Sequence, residues 1–269
     1  MAEGDKPVLI IQLRPEDAVA DSELQAFLRY GQLRDNEVAR ARVERTGLPD
    51  IDLRKFAAII VGGSPFDMSI PAAQKSHIQK RLETEFMHLL ERVAAIDFPF
   101  LGACSGSSLL GAWCGARISG RYAEPVGGAD VFITDAGRTD PLLRDVPSPF
   151  RVLLGHKEAC DTVPPGTALL ASSAACPVQM MRLGDNVYAT QFHPEGDPDG
   201  FNVRIRAYRN HGYFAPETAN GLIASIRDEH TPFAQQILAR FVRRYRPGAP
   251  DSQVRRSDRA GDLPELSGQ

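Results

Sequence analysis

The 269-residue sequence has no long apolar run, no large excess of charge of either sign and only four cysteines. No stretch approaches the roughly 20 apolar residues that a membrane-spanning helix needs, so we expect no membrane partner. A net charge of −3 argues against a general nucleic-acid binder, which depends on many cationic contacts to phosphate. The acidic N-terminal residues lead directly into an apolar run and do not resemble a signal peptide, so we expect a cytoplasmic location.

The four cysteines, Cys104, Cys114, Cys160 and Cys176, form no Cys-x-x-Cys pair. This spacing excludes a zinc knuckle and a thioredoxin motif, and we expect all four thiols to be reduced. The sequence also lacks a Gly-x-x-x-x-Gly-Lys phosphate loop, so these residues contain no ATP-using synthetase domain. We therefore expect neither a metal nor a cofactor.

The first 103 residues alternate between buried strands and helices. Continuous apolar runs at 7–13, 56–61 and 98–103 predict strands, and helical spacing predicts helices at 23–28 and 73–95. Ser22 stands where a residue that caps the first helix is expected, and residues 38–45 are polar and ambiguous. This alternation predicts an α/β fold with an open, mostly parallel sheet and helices on both faces.

The remainder of the sequence predicts a different local pattern. Short alternating runs between residues 129 and 192, separated by turns, predict a small antiparallel section. Two helical segments follow, near 201–214 and at 232–245. The polar sequence of 246–269 predicts a disordered tail, so residues 1–245 form one domain.

Residues 98–106 read Phe-Pro-Phe-Leu-Gly-Ala-Cys-Ser-Gly and are followed by an apolar helical pattern. A strand, a sharp turn and a helix in this order is the geometry that holds a nucleophile in a strained, exposed turn. The amide of Ser105 lies at the helix start, where it can donate to an oxyanion, and the helix N-terminus favours a thiolate at Cys104. The alternative is a buried cysteine in an ordinary turn.

Gln191-Phe192-His193-Pro194-Glu195 ends the last of the short strands. A thiol nucleophile needs a base, and the base needs an acceptor that orients it. His193 and Glu195 are two residues apart and would share one face of a straight strand. Cys104, His193 and Glu195 can therefore form a triad, with Glu195 fixing the tautomer of His193.

These motifs resemble the class I (triad-type) glutamine amidotransferases, and within them the stand-alone proteins similar to the amidotransferase part of GMP synthase. The resemblance runs in family order from about residue 50 to residue 198. It is carried by separate stretches at 61–65, 102–106, 123–134, 140–143, 156, 165–173, 176–177 and 191–195. The resemblance implies the flavodoxin-like fold of that family.

The resemblance also implies roles for individual residues. Cys104 would attack the side-chain amide of glutamine, His193 would pass the thiol proton to the leaving ammonia, and Glu195 would orient His193. The amides of Gly63 and Ser105 would form the oxyanion hole. Three further residues are expected to bind substrate: Gly62, Ser108 and His156. A γ-glutamyl thioester would then be hydrolysed, and a synthetase or acceptor subunit is a possible partner.

The sequence departs from the family pattern at three positions. Ser108 stands where the family has a glutamine that helps to hold the substrate, Ser105 replaces an aromatic or aliphatic residue, and Glu158 replaces an aspartate. The Ser108 departure leaves a second function open, that of a γ-glutamyl hydrolase acting on another γ-glutamyl compound. A non-catalytic regulatory module of the same fold is a third alternative, against which the intact triad argues.

Three arginines, Arg204, Arg206 and Arg209, follow the triad at helical spacing. They either line an anionic site or form a solvated helix face, and the second interpretation is favoured because charge runs on helices usually face solvent.

Overall fold

The computed structural model describes residues 6–246. Its strands are β1 (Val8–Gln12), β2 (Val38–Arg42), β3 (Ala58–Val61), β4 (Phe100–Ala103), β5 (Ile118–Ser119), β6 (Glu124–Ile133), β7 (Phe150–His156), β8 (Ala159–Cys160), β9 (Thr167–Ser172), β10 (Met180–Leu183) and β11 (Val187–Thr190). Its helices are α1 (Asp17–Gly31), α2 (Val43–Thr46), α3 (His77–Ala95), α4 (Ser105–Trp113), α5 (Asp135–Arg138), α6 (Pro198–Ala207), α7 (Ala219–Ile226) and α8 (Pro232–Tyr245). The tail predicted from residue 246 lies outside this range, apart from Arg246.

Nine strands form one mixed sheet in the order β2-β1-β3-β4-β11-β10-β9-β6-β7. The pairs from β2 to β11 are parallel, and the pairs from β11 to β7 are antiparallel. Strands β5 and β8 form a separate antiparallel pair. The predicted α/β fold class is confirmed, and the antiparallel section continues the parallel sheet.

Both faces of the central strands β1, β3, β4 and β11 are buried, as their continuous apolar sequences require. Alternate residues of β1 enter two different cores, Val8 and Ile10 on one face and Leu9 and Ile11 on the other. The first core includes side chains of α1 and α8, and the second includes side chains of α3 and α4. Because β1, β3, β4 and β11 run parallel, their carboxyl ends meet at one edge of the sheet.

Several helix boundaries differ from the prediction. Helix α1 begins at Asp17, so Ser22 lies inside it and does not cap it. Helix α3 begins at His77 and is capped by Ser76, whose side chain accepts from the amide of Gln79. Residues 201–214 do not form one helix, because α6 ends at Ala207. Helix α7 was not predicted, and residues 38–42 form the half-buried edge strand β2.

The turn between β4 and α4 depends on the absence of a side chain at Gly102. A Cβ atom added to Gly102 would lie 2.8 Å from the carbonyl carbon of Gly106, which is backbone and cannot move aside. The absence of a side chain at Gly102 therefore permits the close approach of strand and helix that positions residue 104.

We expect Gly102→Ala to lower the free energy of unfolding by about 1–3 kcal/mol, the usual cost of overpacking. Gly127→Ala is the matched control, because a Cβ atom at Gly127 meets nothing within 4 Å. Thermal denaturation of both variants measures the difference. Equal melting temperatures for the two variants would contradict the importance of this close approach.

Candidate active site

Cys104 occupies a strained turn at the carboxyl end of β4. Its φ is 53° and its ψ is −98°, a backbone conformation that residues other than glycine rarely adopt. Two contacts hold it there: its amide donates to the carbonyl of Thr190 at 2.8 Å, and its carbonyl accepts from the amide of Ser107 at 2.9 Å. The residue is partly exposed and lines a cleft that His193 also lines.

His193 and Glu195 form the second part of the site. The Nδ1 atom of His193 lies 2.8 Å from Oε1 of Glu195, and both side chains are buried. The carboxylate therefore selects the tautomer with the proton on Nδ1 and leaves Nε2 to accept a proton. The prediction placed His193 and Glu195 on a straight strand, but strand β11 already ends at Thr190. The two side chains are instead brought together by a turn in which the Gly196 amide donates to the His193 carbonyl.

Arg204 is part of the site, which corrects the interpretation of all three arginines as a solvated face. Its Nη2 donates to Oε1 of Glu195 at 2.7 Å, and the residue is only 7% exposed. It follows Phe201 by three residues and precedes Ile205 on the buried side of α6. Arg206 and Arg209 are exposed, as predicted.

The electrostatics of these groups define the resting state of the site. Burial raises the pKa of Glu195, but the neighbouring His193 and Arg204 outweigh it and hold that pKa well below its usual range. Burial lowers the pKa of His193, and the attraction of Glu195 only partly opposes this effect. Glu195 is therefore ionised and His193 neutral near neutral pH, which is the state that a general base requires.

The prediction that the helix N-terminus lowers the pKa of the Cys104 thiol is wrong. Burial raises this pKa to about 11, although the charges of Arg14 and Arg204 lower it in part. The surrounding protein atoms solvate a thiolate poorly, and this desolvation outweighs the favourable charges. At rest the thiol of Cys104 and the imidazole of His193, which line the same cleft, are therefore both neutral.

Gly63, predicted to stabilise an oxyanion, has a different partner here. Its amide donates to Oε1 of Glu23 at 3.2 Å, and the same oxygen accepts from Nε of Arg14 at 2.8 Å. Gly63 could donate to an oxyanion only after Glu23 gives up this bond. The amide of Ser105 begins α4 and has no acceptor within the helix, so the structure leaves this predicted donor available.

The backbone of Gly62, which is predicted to bind substrate, is engaged within the protein. Its amide donates to the carbonyl of Ile11 at 3.0 Å, and its carbonyl accepts from the hydroxyl of Ser105 at 3.3 Å. A Cβ atom at Gly62 would lie 2.4 Å from a carboxylate oxygen of Glu23. Gly62 therefore permits the close approach of Glu23.

A second cleft, here called the polar cleft, also borders Cys104 and spans about 250 Å³, which includes space open to solvent. Ser105, Ser108, His156 and Gln191 are among the side chains that line it. Sequence reasoning did not single out Gln191. Both polar atoms of its side chain are buried and have no hydrogen-bond partner, so this amide can both donate to and accept from a substrate.

His156 lines the polar cleft, but neither of its ring nitrogens is free to bind a substrate. Nε2 lies 2.9 Å from Oε2 of Glu124, and Nδ1 lies 3.0 Å from the carbonyl of Glu158. These two contacts fix the orientation of the His156 ring in the wall of the cleft. Glu158 in turn accepts from the amides of Met68 and Ser69 at 2.9 and 2.7 Å, which ties the loop after β3 to this wall.

Among the described residues, one group has the composition of a metal site: Glu124, His156 and Cys176, whose ligand atoms lie within 4.8 Å of one another. Glu124 is already bonded to His156 and accepts from Nε2 of Gln179 at 2.6 Å. Burial raises the pKa of the Cys176 thiol to about 12, so this thiol keeps its proton. The hydrogen bonds account for the group as a buried polar network.

All four cysteines are free, as predicted.

Comparison with known proteins identifies the family to which this site belongs. The sequence profile described as Glutamine amidotransferase class-I matches residues 19–207, well over half of the chain. The chain belongs to the class I glutamine amidotransferase family. None of the helices within residues 6–246 is long and apolar enough to cross a membrane.

Individual relatives match this chain over different fractions of their own length. The glutamine amidotransferase-like protein YfeJ of Salmonella typhimurium is 26% identical over 170 residues, which cover 63% of this chain and 70% of that protein. The GMP synthase [glutamine-hydrolyzing] of Bacillus pumilus is 34% identical over 106 residues, 39% of this chain but only 20% of that protein. The chain thus corresponds to about a fifth of that GMP synthase.

A solved structure supports the fold. A glutamine amidotransferase from Thermotoga maritima superposes with a TM-score of 0.68 over 90% of this chain and 99% of that one, at 20% sequence identity. At this identity the similarity establishes the class I glutamine amidotransferase fold, with its mixed sheet and flanking helices.

We expect iodoacetamide to alkylate Cys104 slowly at neutral pH, with a rate that continues to rise up to about pH 11, where the thiol titrates. A thiolate is the reactive form, so at pH 8 the rate should lie roughly a hundredfold below that of an exposed cysteine. Peptide mapping with Cys104→Ser as control isolates this site from the other three thiols. A rate that levels off below about pH 8 would instead indicate a preformed thiolate–imidazolium pair.

Proposed function

We propose that this protein hydrolyses the side-chain amide of glutamine through a cysteine nucleophile and releases ammonia. The observation that carries the proposal is the buried His193–Glu195 pair at 2.8 Å in a cleft that Cys104 also lines. A base oriented by a carboxylate beside a thiol is the arrangement that acyl transfer requires. Membership of the family supports the same chemistry.

The neutral resting state determines how the reaction begins. Nε2 of His193 takes the thiol proton as Sγ of Cys104 bonds to the amide carbon, and the carbonyl oxygen becomes an oxyanion. The amide of Ser105 stabilises that charge. The carbon–nitrogen bond then breaks, and the proton held by His193 passes to the leaving nitrogen, which departs as ammonia. Water hydrolyses the γ-glutamyl thioester to glutamate and restores the thiol.

Arg204 and Arg14 support this sequence without contacting the reacting bond. Arg204 and His193 keep Glu195 ionised, so the carboxylate can stabilise the imidazolium that forms during attack. Arg14 is paired with Glu23 at 2.8 Å, and its charge favours the thiolate. The high resting pKa of Cys104 is consistent with deprotonation only as the thiol attacks, which protects it from unproductive reactions.

Ammonia from such a site is either released or used by a partner. A relative from Natronomonas pharaonis, 34% identical over 102 residues, is named as one subunit of a glutamine-hydrolyzing GMP synthase, and the match covers 54% of that subunit. A protein named in this way works with another chain, so a synthetase or acceptor protein is the partner class that we propose. The 269 residues contain no phosphate loop of their own.

We expect the purified protein to release ammonia from glutamine and Cys104→Ala to abolish the release, because no other residue supplies the nucleophile. Cys114→Ala is the control, since Cys114 follows α4 and lines neither cleft. Ammonia is measured by a coupled assay at several protein concentrations. Release that persists in Cys104→Ala would contradict the proposed function.

We expect Gln191→Leu to raise the KM for glutamine by about tenfold with little change in kcat, as the loss of one hydrogen bond to bound substrate predicts. Ser108→Gln restores the amide that the family has at that position and should reverse much of this loss. Gln25→Leu, at an exposed position on α1, is the control. A fall in kcat without a change in KM would show that Gln191 acts on the chemistry instead of on substrate binding.

A further inference from the structure

The polar cleft contains an ion pair that no step of the proposed reaction uses. Among the described residues that line this cleft, three have side chains of the Asp, Glu, Lys or Arg types: Asp67, Lys157 and Glu158. Nζ of Lys157 lies 2.5 Å from Oδ2 of Asp67, and the two side chains are 29% and 21% exposed. Cys104 lines the same cleft, so a substrate held at the nucleophile is close to one positive and one negative group.

Glu158 is committed to the protein backbone. Its Oε1 accepts from the amide of Met68 at 2.9 Å, and its Oε2 accepts from the amide of Ser69 at 2.7 Å. Within residues 6–246, the side chains of Asp67 and Lys157 bond to no backbone group. They are therefore the charged groups of this wall that can exchange their partner for a ligand.

The backbone around Asp67 is held independently of its carboxylate. Nε2 of Gln79 donates to the Asp67 carbonyl at 2.7 Å, and the next two amides are those bonded to Glu158. Lys157 precedes Glu158 directly, so the same contacts fix its backbone. Both charged groups are thus placed before a ligand arrives, which lowers the entropy cost of binding one.

Tyr213 holds the ammonium of Lys157 at the cleft. Nζ of Lys157 lies over the Tyr213 ring, 4.5 Å from its centre. The ring itself is anchored, because the Tyr213 hydroxyl donates to the carbonyl of Ser64 at 3.2 Å. A cation is attracted to the face of an aromatic ring, so the ammonium stays at the wall when Asp67 takes another partner.

This pair of charges is complementary to a free amino acid. Glutamine carries an α-ammonium and an α-carboxylate on one carbon, at the opposite end from the side-chain amide that Cys104 attacks. A partly exposed ion pair contributes little to stability, so separating Asp67 from Lys157 costs little. Hydrogen bonds between charged partners are stronger than those between neutral ones, so two new charged pairs with the substrate outweigh that cost.

We propose that Asp67 and Lys157 determine specificity by binding the two α groups of a free amino-acid amide. On binding, the internal pair separates: Asp67 accepts from the α-ammonium, and Lys157 donates to the α-carboxylate. The inference rests on the proposed function, which places glutamine in the polar cleft. It assigns the substrate class, a free zwitterionic amino acid, because the α groups of a glutamine within a peptide carry no charge.

The test compares ammonia release from glutamine with release from two amides that each lack one charge. Glutaramate lacks the α-ammonium, and 4-aminobutanamide lacks the α-carboxylate. We expect kcat/KM of the wild-type protein to be at least about tenfold lower for each analogue than for glutamine. A site that pairs with a polar group of its substrate rejects a compound without that group, because the site's own group is left unpaired.

Variants assign each charge to its residue. Asp67→Asn should lower kcat/KM for glutamine and 4-aminobutanamide about tenfold through KM, without lowering it for glutaramate. Lys157→Gln should lower kcat/KM for glutamine and glutaramate, without lowering it for 4-aminobutanamide. Lys75→Gln is the matched control, since Lys75 is paired with Glu83 at 2.7 Å but lines neither cleft that borders Cys104.

A merely structural ion pair would give a different pattern. Equal losses for all three amides, or no loss for glutamine, in Asp67→Asn or Lys157→Gln would overturn this inference and leave the proposed function intact. Absence of ammonia from every amide would contradict the proposed function itself.

Binding without turnover provides a second measurement. We expect calorimetric titration with glutamine to give a Kd about tenfold higher for Cys104→Ala combined with Lys157→Gln than for Cys104→Ala alone. Equal Kd values in these two proteins would overturn the role of Lys157 whether or not the wild-type protein releases ammonia.

Discussion

The parallel pairing of β4 with β3 on one side and β11 on the other is the constraint on which the site depends. Residues 59–61 and 187–190 are in register with residues 100–103, and the Cys104 amide continues the ladder to the carbonyl of Thr190. Every group that the proposed reaction uses follows one of these strand ends. The strain at Cys104 is held by backbone bonds on both sides of the residue, so the nucleophile is fixed before any substrate binds.

Charge compensation is the second condition that the fold meets. Four buried charges form two pairs, Arg14 with Glu23 and Arg204 with Glu195, while Cys104 and His193 remain neutral at rest. A buried charge without a partner would cost several kcal/mol, so each pair depends on both of its members. The arrangement places full charge next to the reacting groups, where it can stabilise the imidazolium and thiolate that form during attack, and it leaves the resting nucleophile protonated.

Two clefts border the nucleophile turn and differ in their lining. The polar cleft lacks the family glutamine at position 108 but contains Gln191, whose amide has no partner within the described protein. The cleft that His193 lines is bounded in part by Tyr208, Tyr213 and Phe214, which follow the matched residues 19–207. These side chains surround the nucleophile turn, where a pocket can change its lining without disturbing the buried sheet that carries the nucleophile.

Much of the fold was predictable because its signals are local. Apolar runs and helical spacing identified the strands and most of the helices, and the predicted parallel sheet was confirmed. The helix α7 was missed, although Thr218 stands at its N-cap, because the helix has only eight residues and buries only Ala219 and Ile226. Ser22 resembled a cap although α1 begins five residues earlier, since propensity alone does not decide where packing lets a helix begin.

The sequence by itself determined the family, the turn at Cys104 and the pairing of His193 with Glu195, because these depend on residue types at short, fixed spacings. Only the tertiary structure decided the partners that come from distant segments. It placed Arg204 on the buried side of α6 and paired the Gly63 amide with the Glu23 carboxylate. It also supplied hydrogen-bond partners for both ring nitrogens of His156. It also reversed the predicted pKa of the Cys104 thiol, because desolvation depends on the packing of the whole chain around the sulfur, which no local spacing encodes.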